Sequence, residues 1–114
     1  MSNQKIRQGV TPSKDGLPYQ AYAIVGDPRD PATWKLPHHT VAIWRELRSN
    51  QSVEPSVDWH RMPAAVASLS PGGYRGRRVE ASAGEKKAAA HHLAAHYLHA
   101  GREVPETLKE LTKE

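Results

Sequence analysis

The tetrapeptide Ser82-Ala83-Gly84-Glu85 constrains this chain more than any other stretch. It is a capping box, in which the Ser82 hydroxyl accepts from the amide three residues on and Glu85 reaches back to the Ser82 amide. A helix therefore begins at about Ala83. Its end is also spelled out, because Gly101 can take the left-handed backbone that stops a helix and Pro105 follows. Between these signals Ala90, Leu93, Ala94, Tyr97 and Leu98 recur at the spacing of one buried face. At roughly 100° per residue, His92, His96 and His99 fall on the opposite side, which should face solvent or a partner.

A shorter helix precedes this one. Pro63 suits a first helical turn, Ala65, Val66 and Leu69 would face inward, and Pro71-Gly72-Gly73 ends the run. The segment Tyr74-Arg75-Gly76-Arg77-Arg78 then sets three guanidinium groups and one aromatic ring on an extended loop, with Lys86 and Lys87 in the first turns of the next helix. Arginine grips phosphate in bidentate fashion and tyrosine can stack on a base. The candidate nucleic-acid-binding residues are therefore Tyr74, Arg75, Arg77, Arg78, Lys86 and Lys87.

The N-terminal half is read from turn signals. Leu17–Val25 alternates as a strand does and stops at Gly26-Asp27-Pro28, while Thr33–Pro37 should be extended, with Trp34 and Leu36 covering one end of the core. Thr40–Arg48 fits a strand face through Val41, Ile43 and Leu47 and a helix face through Ile43, Trp44 and Leu47. The preferred reading is a strand paired with Tyr19–Val25, followed by a polar connection, Ser49–Ser56, without structure of its own. Pro105–Glu114 should form a last short helix held by Leu108 and Leu111. Residues 1–16 read as a flexible basic arm, a plain leader in the preferred reading, with an electrostatic tether to nucleic acid through Lys5, Arg7 and Lys14 as the functional alternative. The expectation is one small domain over 17–114 of the α+β class, mostly helical, with a short β element beside a helix, basic loop, helix unit.

Composition narrows the chemistry. The 114 residues contain no cysteine, which excludes disulfides and thiolate metal sites, and no apolar run is long enough to span a bilayer. A net charge of +4 is compatible with an anionic partner. The apolar count leans on alanine, with no phenylalanine, so the core is thin and a homo-oligomer or a docked partner would help hold it.

Seven histidines raise the question of metal. His92, His96 and His99 lie on one helix face, but three imidazoles along a straight helix converge poorly on a single ion, and the nearest acidic residues in sequence are Glu85 and Glu103. No metal ligand and no cofactor are assigned on this basis. No catalytic group is assigned either: Ser68, Ser70 and Ser82 sit at helix ends, Asp58 and His60 lack a nucleophile at motif spacing, and the glycine-containing loop lacks the lysine and Ser/Thr of a phosphate-binding P-loop.

Two segments, Ala21–Pro37 (AYAIVGDPRDPATWKLP) and Ala64–Ala81 (AAVASLSPGGYRGRRVEA), followed by an alanine-rich helix, together resemble a family of small phage-associated domains. The matching residues are Trp34, Lys35, Leu36 and Pro37, then Gly73, Tyr74, Arg75 and Gly76, within a likeness that spans Tyr19 to Gly101. Thr40–Ser56 and the histidine-rich helix depart from the family pattern. The resemblance implies a phage or mobile-element setting, not an activity; the expected location, cytoplasm or virion, rests on the lack of a bilayer-spanning run and of a signal-peptide pattern. Two functions fit: a non-enzymatic nucleic-acid-binding accessory protein using the arginine loop, or a phage structural or assembly protein packing through the Ala/His face of the long helix. The first requires exposed, clustered loop arginines. The second pairs them with carboxylates such as Glu80 or Glu85 across an interface.

Overall fold

The computed structural model describes residues 11–113. Tyr22-Ala23-Ile24-Val25 forms strand β1 with Tyr22 and Ile24 turned inward, and Trp34–Pro37 forms β2 with Trp34 and Leu36 inward. The two pair antiparallel in the register Tyr22↔Pro37, Ile24↔Lys35 and Val25↔Trp34. Their connection is fixed by short side chains that bond nearby backbone: Asp27 accepts from Arg29 N at 2.9 Å and Asp30 accepts from Ala32 N at 3.1 Å. Trp34 is fully buried, and its indole N–H donates to the Asp27 carbonyl at 2.9 Å.

Among the described residues four α-helices complete an α+β domain: α1 (Ile43–Arg48), α2 (Met62–Leu69), α3 (Ala83–His99) and α4 (Glu106–Thr112). No helix among the described residues is long and apolar enough to cross a membrane. One apolar cluster gathers Leu36, Met62, Leu69, Leu93, Tyr97 and Leu108, so β2, α2, α3 and α4 share it. A second holds Leu17, Ala21, Tyr22, Trp34 and Ile43.

The long helix starts as its sequence dictates. Glu85 N donates to Ser82 Oγ at 3.1 Å and Ser82 N donates to Glu85 Oε1 at 2.9 Å, the reciprocal pair of a capping box. That second bond holds the Glu85 carboxyl below its usual range. At the other end Gly101 adopts φ +71°. Replacing Ser82 with alanine orphans the Glu85 amide and is expected to lower stability by about 1 kcal/mol, measurable by urea denaturation.

Three expectations are corrected. Thr40–Arg48 does not pair with β1; it turns at Thr40 and continues as α1, burying Ile43 and Glu46. The partner of β1 is β2, and Trp-Arg-Glu-Leu-Arg is made mostly of good helix formers, so local propensity wins over the ambiguous periodicity. The last residues of the expected arm are engaged by the fold: the Lys14 ammonium donates to the Trp34 carbonyl at 2.7 Å, and the Gly16 carbonyl accepts from the Trp44 indole at 2.7 Å. Lys14 is thus engaged by the fold, whereas Lys5 and Arg7 lie outside the described residues. The buried stripe of α3 is Ala89, Ala90, Leu93, His96 and Tyr97, with Leu98 69% exposed. The stripe is rotated toward His96 because that imidazole has partners inside the protein.

Candidate functional site

The arginine loop is a tight turn rather than an extended segment. Tyr74 and Arg77 exchange backbone bonds, N to O 2.8 Å and 3.0 Å, around Arg75 at φ 53° and Gly76 at φ 80°. Two central residues with positive φ make the two-residue turn favoured in hairpins, which explains glycine at 76. Gly73 is required for a different reason. It sits at φ +71°, and a Cβ there would lie 2.7 Å from Arg78 N. The exit is pinned by Val79 N donating to Ser68 O at 3.0 Å.

Tyr74, Arg75, Arg77 and Arg78 are all exposed on this turn, and the Arg75 guanidinium stacks 5.4 Å from the Tyr74 ring centre. Among the described residues no ion pair ties Arg75, Arg77 or Arg78 to a carboxylate. Arg78 and Lys86 line one polar depression with Val79, Glu80 and Ala81; Lys87 is half-buried beside them and does not line it. Lys35 reaches in from β2 and donates to the Glu80 carbonyl.

A second constellation was not legible along the chain. His38 and His39 leave β2 as a buried extension, held by His38 N to Ala21 O at 2.9 Å, Asp58 N to His38 O at 2.8 Å and a bridge between His39 and Val57. Their rings meet His92 and His96 of α3. His38 Nε2 lies 3.1 Å from His92 Nε2, and His92 Nε2 lies 3.3 Å from His96 Nε2. His38, His39 and His96 can each offer a ring nitrogen within 4.8 Å of the other two.

Three of the four rings are held from behind. His38 Nδ1 donates to the Leu36 carbonyl at 3.1 Å, His39 Nδ1 to Ser56 Oγ at 2.8 Å, and His96 Nδ1 lies 3.0 Å from both oxygens of Glu54. Leu36 itself stands at φ 66°, a left-handed conformation unusual for leucine, and strain of this kind gathers at functional sites. Glu54 comes from a short 3₁₀ turn, Glu54–Ser56, inside the stretch expected to lack structure, and it also approaches His99 Nδ1 at 3.7 Å.

Desolvation dominates the electrostatics. Burial pushes the His38 imidazole down to about 2 and His39 down to about 4, and His92 is lowered as well, first by burial and then by its neighbour His96. These rings are neutral at neutral pH. His92 keeps part of its surface in solvent, on the wall of an open apolar groove of about 510 Å³ lined also by Tyr19, Tyr22, Val25, Leu47 and Val53.

The expectation that the histidine face of α3 looks outward therefore fails for His96, which is buried; His99 does face solvent. Imidazoles along α3 alone converge poorly, and the rings that meet His96 come from a different segment, His38-His39. The available signal was the adjacent pair His38-His39 next to the apolar β2. The hydroxyls of Ser68 and Ser70 donate to the Ala64 and Ala67 carbonyls at 2.8 Å and 2.7 Å, as their helix-end positions imply.

Comparison with known proteins finds no matching family model, no matching curated protein and no matching solved structure.

Proposed function

We propose that this chain is a non-enzymatic nucleic-acid-binding accessory protein, in the phage or mobile-element setting its sequence resemblance implies. Arg75, Arg77, Arg78, Lys86 and Lys87 contact phosphates, and Tyr74 stacks on a base. One observation carries the reading: the three guanidinium groups stand exposed at a backbone-paired turn, and no carboxylate among the described residues neutralises them. Glu85, the acidic residue nearest in sequence to Lys86, is occupied by the Ser82 cap. Backbone pairing across Tyr74 and Arg77 lowers the entropy lost when the turn meets a phosphate backbone. The competing assembly reading uses the Ala/His face of α3, of which His99 remains exposed while His96 is turned inward.

The test is binding of the full chain to labelled duplex DNA, single-stranded DNA and RNA across a salt series, beside the triple variant Arg75→Ala, Arg77→Ala, Arg78→Ala. Each lost phosphate contact removes about 0.9 from the slope of log affinity against log salt on duplex DNA. The variant is expected to lose about 2 to 3 in slope with an unchanged circular dichroism spectrum. Failure of both proteins to bind any of the three at low salt overturns the reading.

A further inference from the structure

We propose that His38, His39, His92 and His96 form a binding site for one divalent transition-metal ion of the zinc class, with Glu54 positioning His96 from behind. The case begins with where the ring protons must be. A carbonyl can only accept, so His38 carries its proton on Nδ1, toward Leu36 O, and its Nε2 is a bare lone pair. Ser56 Oγ donates its own proton to Val53 O at 3.0 Å, so it accepts from His39 Nδ1, and His39 Nε2 is likewise bare. The Glu54 carboxylate accepts from His96 Nδ1, which leaves His96 Nε2 bare as well.

The fourth ring cannot satisfy the other three. His92 Nε2 lies within 3.3 Å of both His38 Nε2 and His96 Nε2 and can give its single proton to one of them. The other contact is lone pair against lone pair. His39 Nε2 is buried and has no hydrogen-bond partner among the described residues, an unsatisfied state that is costly in a folded protein. A cation repairs all of these contacts together.

The geometry suits one. Two imidazole nitrogens about 2.0–2.1 Å from the same tetrahedral zinc are about 3.3–3.4 Å apart; the pairs His38–His92 and His92–His96 stand at 3.1 Å and 3.3 Å, and the ligand atoms of His38, His39 and His96 lie within 4.8 Å of one another. Three of the four rings have Nδ1 bonded outward to a carbonyl, a hydroxyl or a carboxylate, the outer-shell arrangement that orients histidine ligands and makes them more basic. Glu54, His96 and the ion would complete a carboxylate–histidine–metal series. An all-imidazole donor set favours zinc, nickel or copper over magnesium and calcium, which take oxygen ligands. Entry is from the groove walled by His92, the ring with part of its surface in solvent.

Cobalt(II) is a spectroscopic stand-in for zinc. Titrating the full, metal-free chain with cobalt chloride is expected to give one bound ion per molecule, with the intense visible absorption of a tetrahedral site, displaced by zinc sulfate. His96→Gln is expected to abolish that absorption, Glu54→Gln to weaken zinc about 10- to 100-fold, and His91→Gln, an exposed histidine outside the cluster, to change neither. A second measurement needs no variant: in long-range proton–nitrogen spectra of the wild type, zinc must move the Nε2 signals of His38, His39, His92 and His96 and leave His60 and His91 in place. Absence of saturable cobalt or zinc binding overturns the proposal. So does binding that survives His96→Gln, or zinc-dependent shifts at His60 and His91 instead of the cluster.

Discussion

Lowering the pH from 7 to 5 is expected to strip the metal-free protein of much of its stability. In the folded state His38 titrates at about 2 and His39 at about 4, whereas unfolded histidine titrates near 6.5. Below about pH 6.5 the unfolded chain therefore binds more protons than the folded one. The stability these neutral rings contribute is complete above 6.5 and is lost as pH falls, down to about 4 for His39 and about 2 for His38. Each such group removes about 1.4 kcal/mol per pH unit, so the pair removes about 3 kcal/mol per unit, against a total of about 5–15 kcal/mol for an ordinary domain. Stopping at pH 5 keeps most carboxylates ionised and isolates the histidines. Urea midpoints at pH 7, 6 and 5 are the measurement, and a midpoint that does not move shows that the rings are not buried neutral.

Replacing Trp34 with alanine should cost about 3–5 kcal/mol, the largest loss expected from any single substitution described here. The ring is fully buried, meets Tyr22 at 5.6 Å and Tyr19 at 6.3 Å between centres, and bonds the Asp27 carbonyl. Its removal leaves a cavity and takes away one hydrogen bond to the Asp27 carbonyl, which also accepts from Thr33 Oγ1 at 3.2 Å. Trp44→Ala is the control. Trp44 also donates from its indole, to Gly16 O at 2.7 Å, but it is only half-buried and the carbonyl it releases can turn to water. Denaturation of the two variants should separate them by about 2 kcal/mol or more; equal losses mean that the cluster around Trp34 does not carry the strand pair.

Local signals made much of the architecture legible. Caps and turn residues act within a few positions of themselves, so Ser82, Glu85, Gly101, Pro63 and the Asp27–Pro31 turn could be read without any partner. The arginine loop was legible in composition but not in shape, because the positive φ of Arg75 belongs to no residue preference and is imposed by the Tyr74–Arg77 pairing. Thr40–Arg48 failed because its apolar spacing serves both periods, and pairing of β1 with β2 decides the matter elsewhere in the chain. The histidine centre was hidden for a different reason. His38 and His92 are neighbours only after β2 and α3 have packed, and Glu54 arrives from a third segment. Periodicity along one helix cannot report a meeting of three.

The long helix carries one end of the basic edge and half of the histidine cluster on a single rod. At about 1.5 Å per residue, Lys86 and His92 are about 9 Å apart along its axis, comparable with a Debye length of about 8 Å at physiological ionic strength. A dication held by His92 and His96 would add its field to that of the lysines and arginines. Phosphate on the turn and metal at the centre then attract one another across the helix, each raising the affinity of the other by the same factor, and added salt erases that mutual gain.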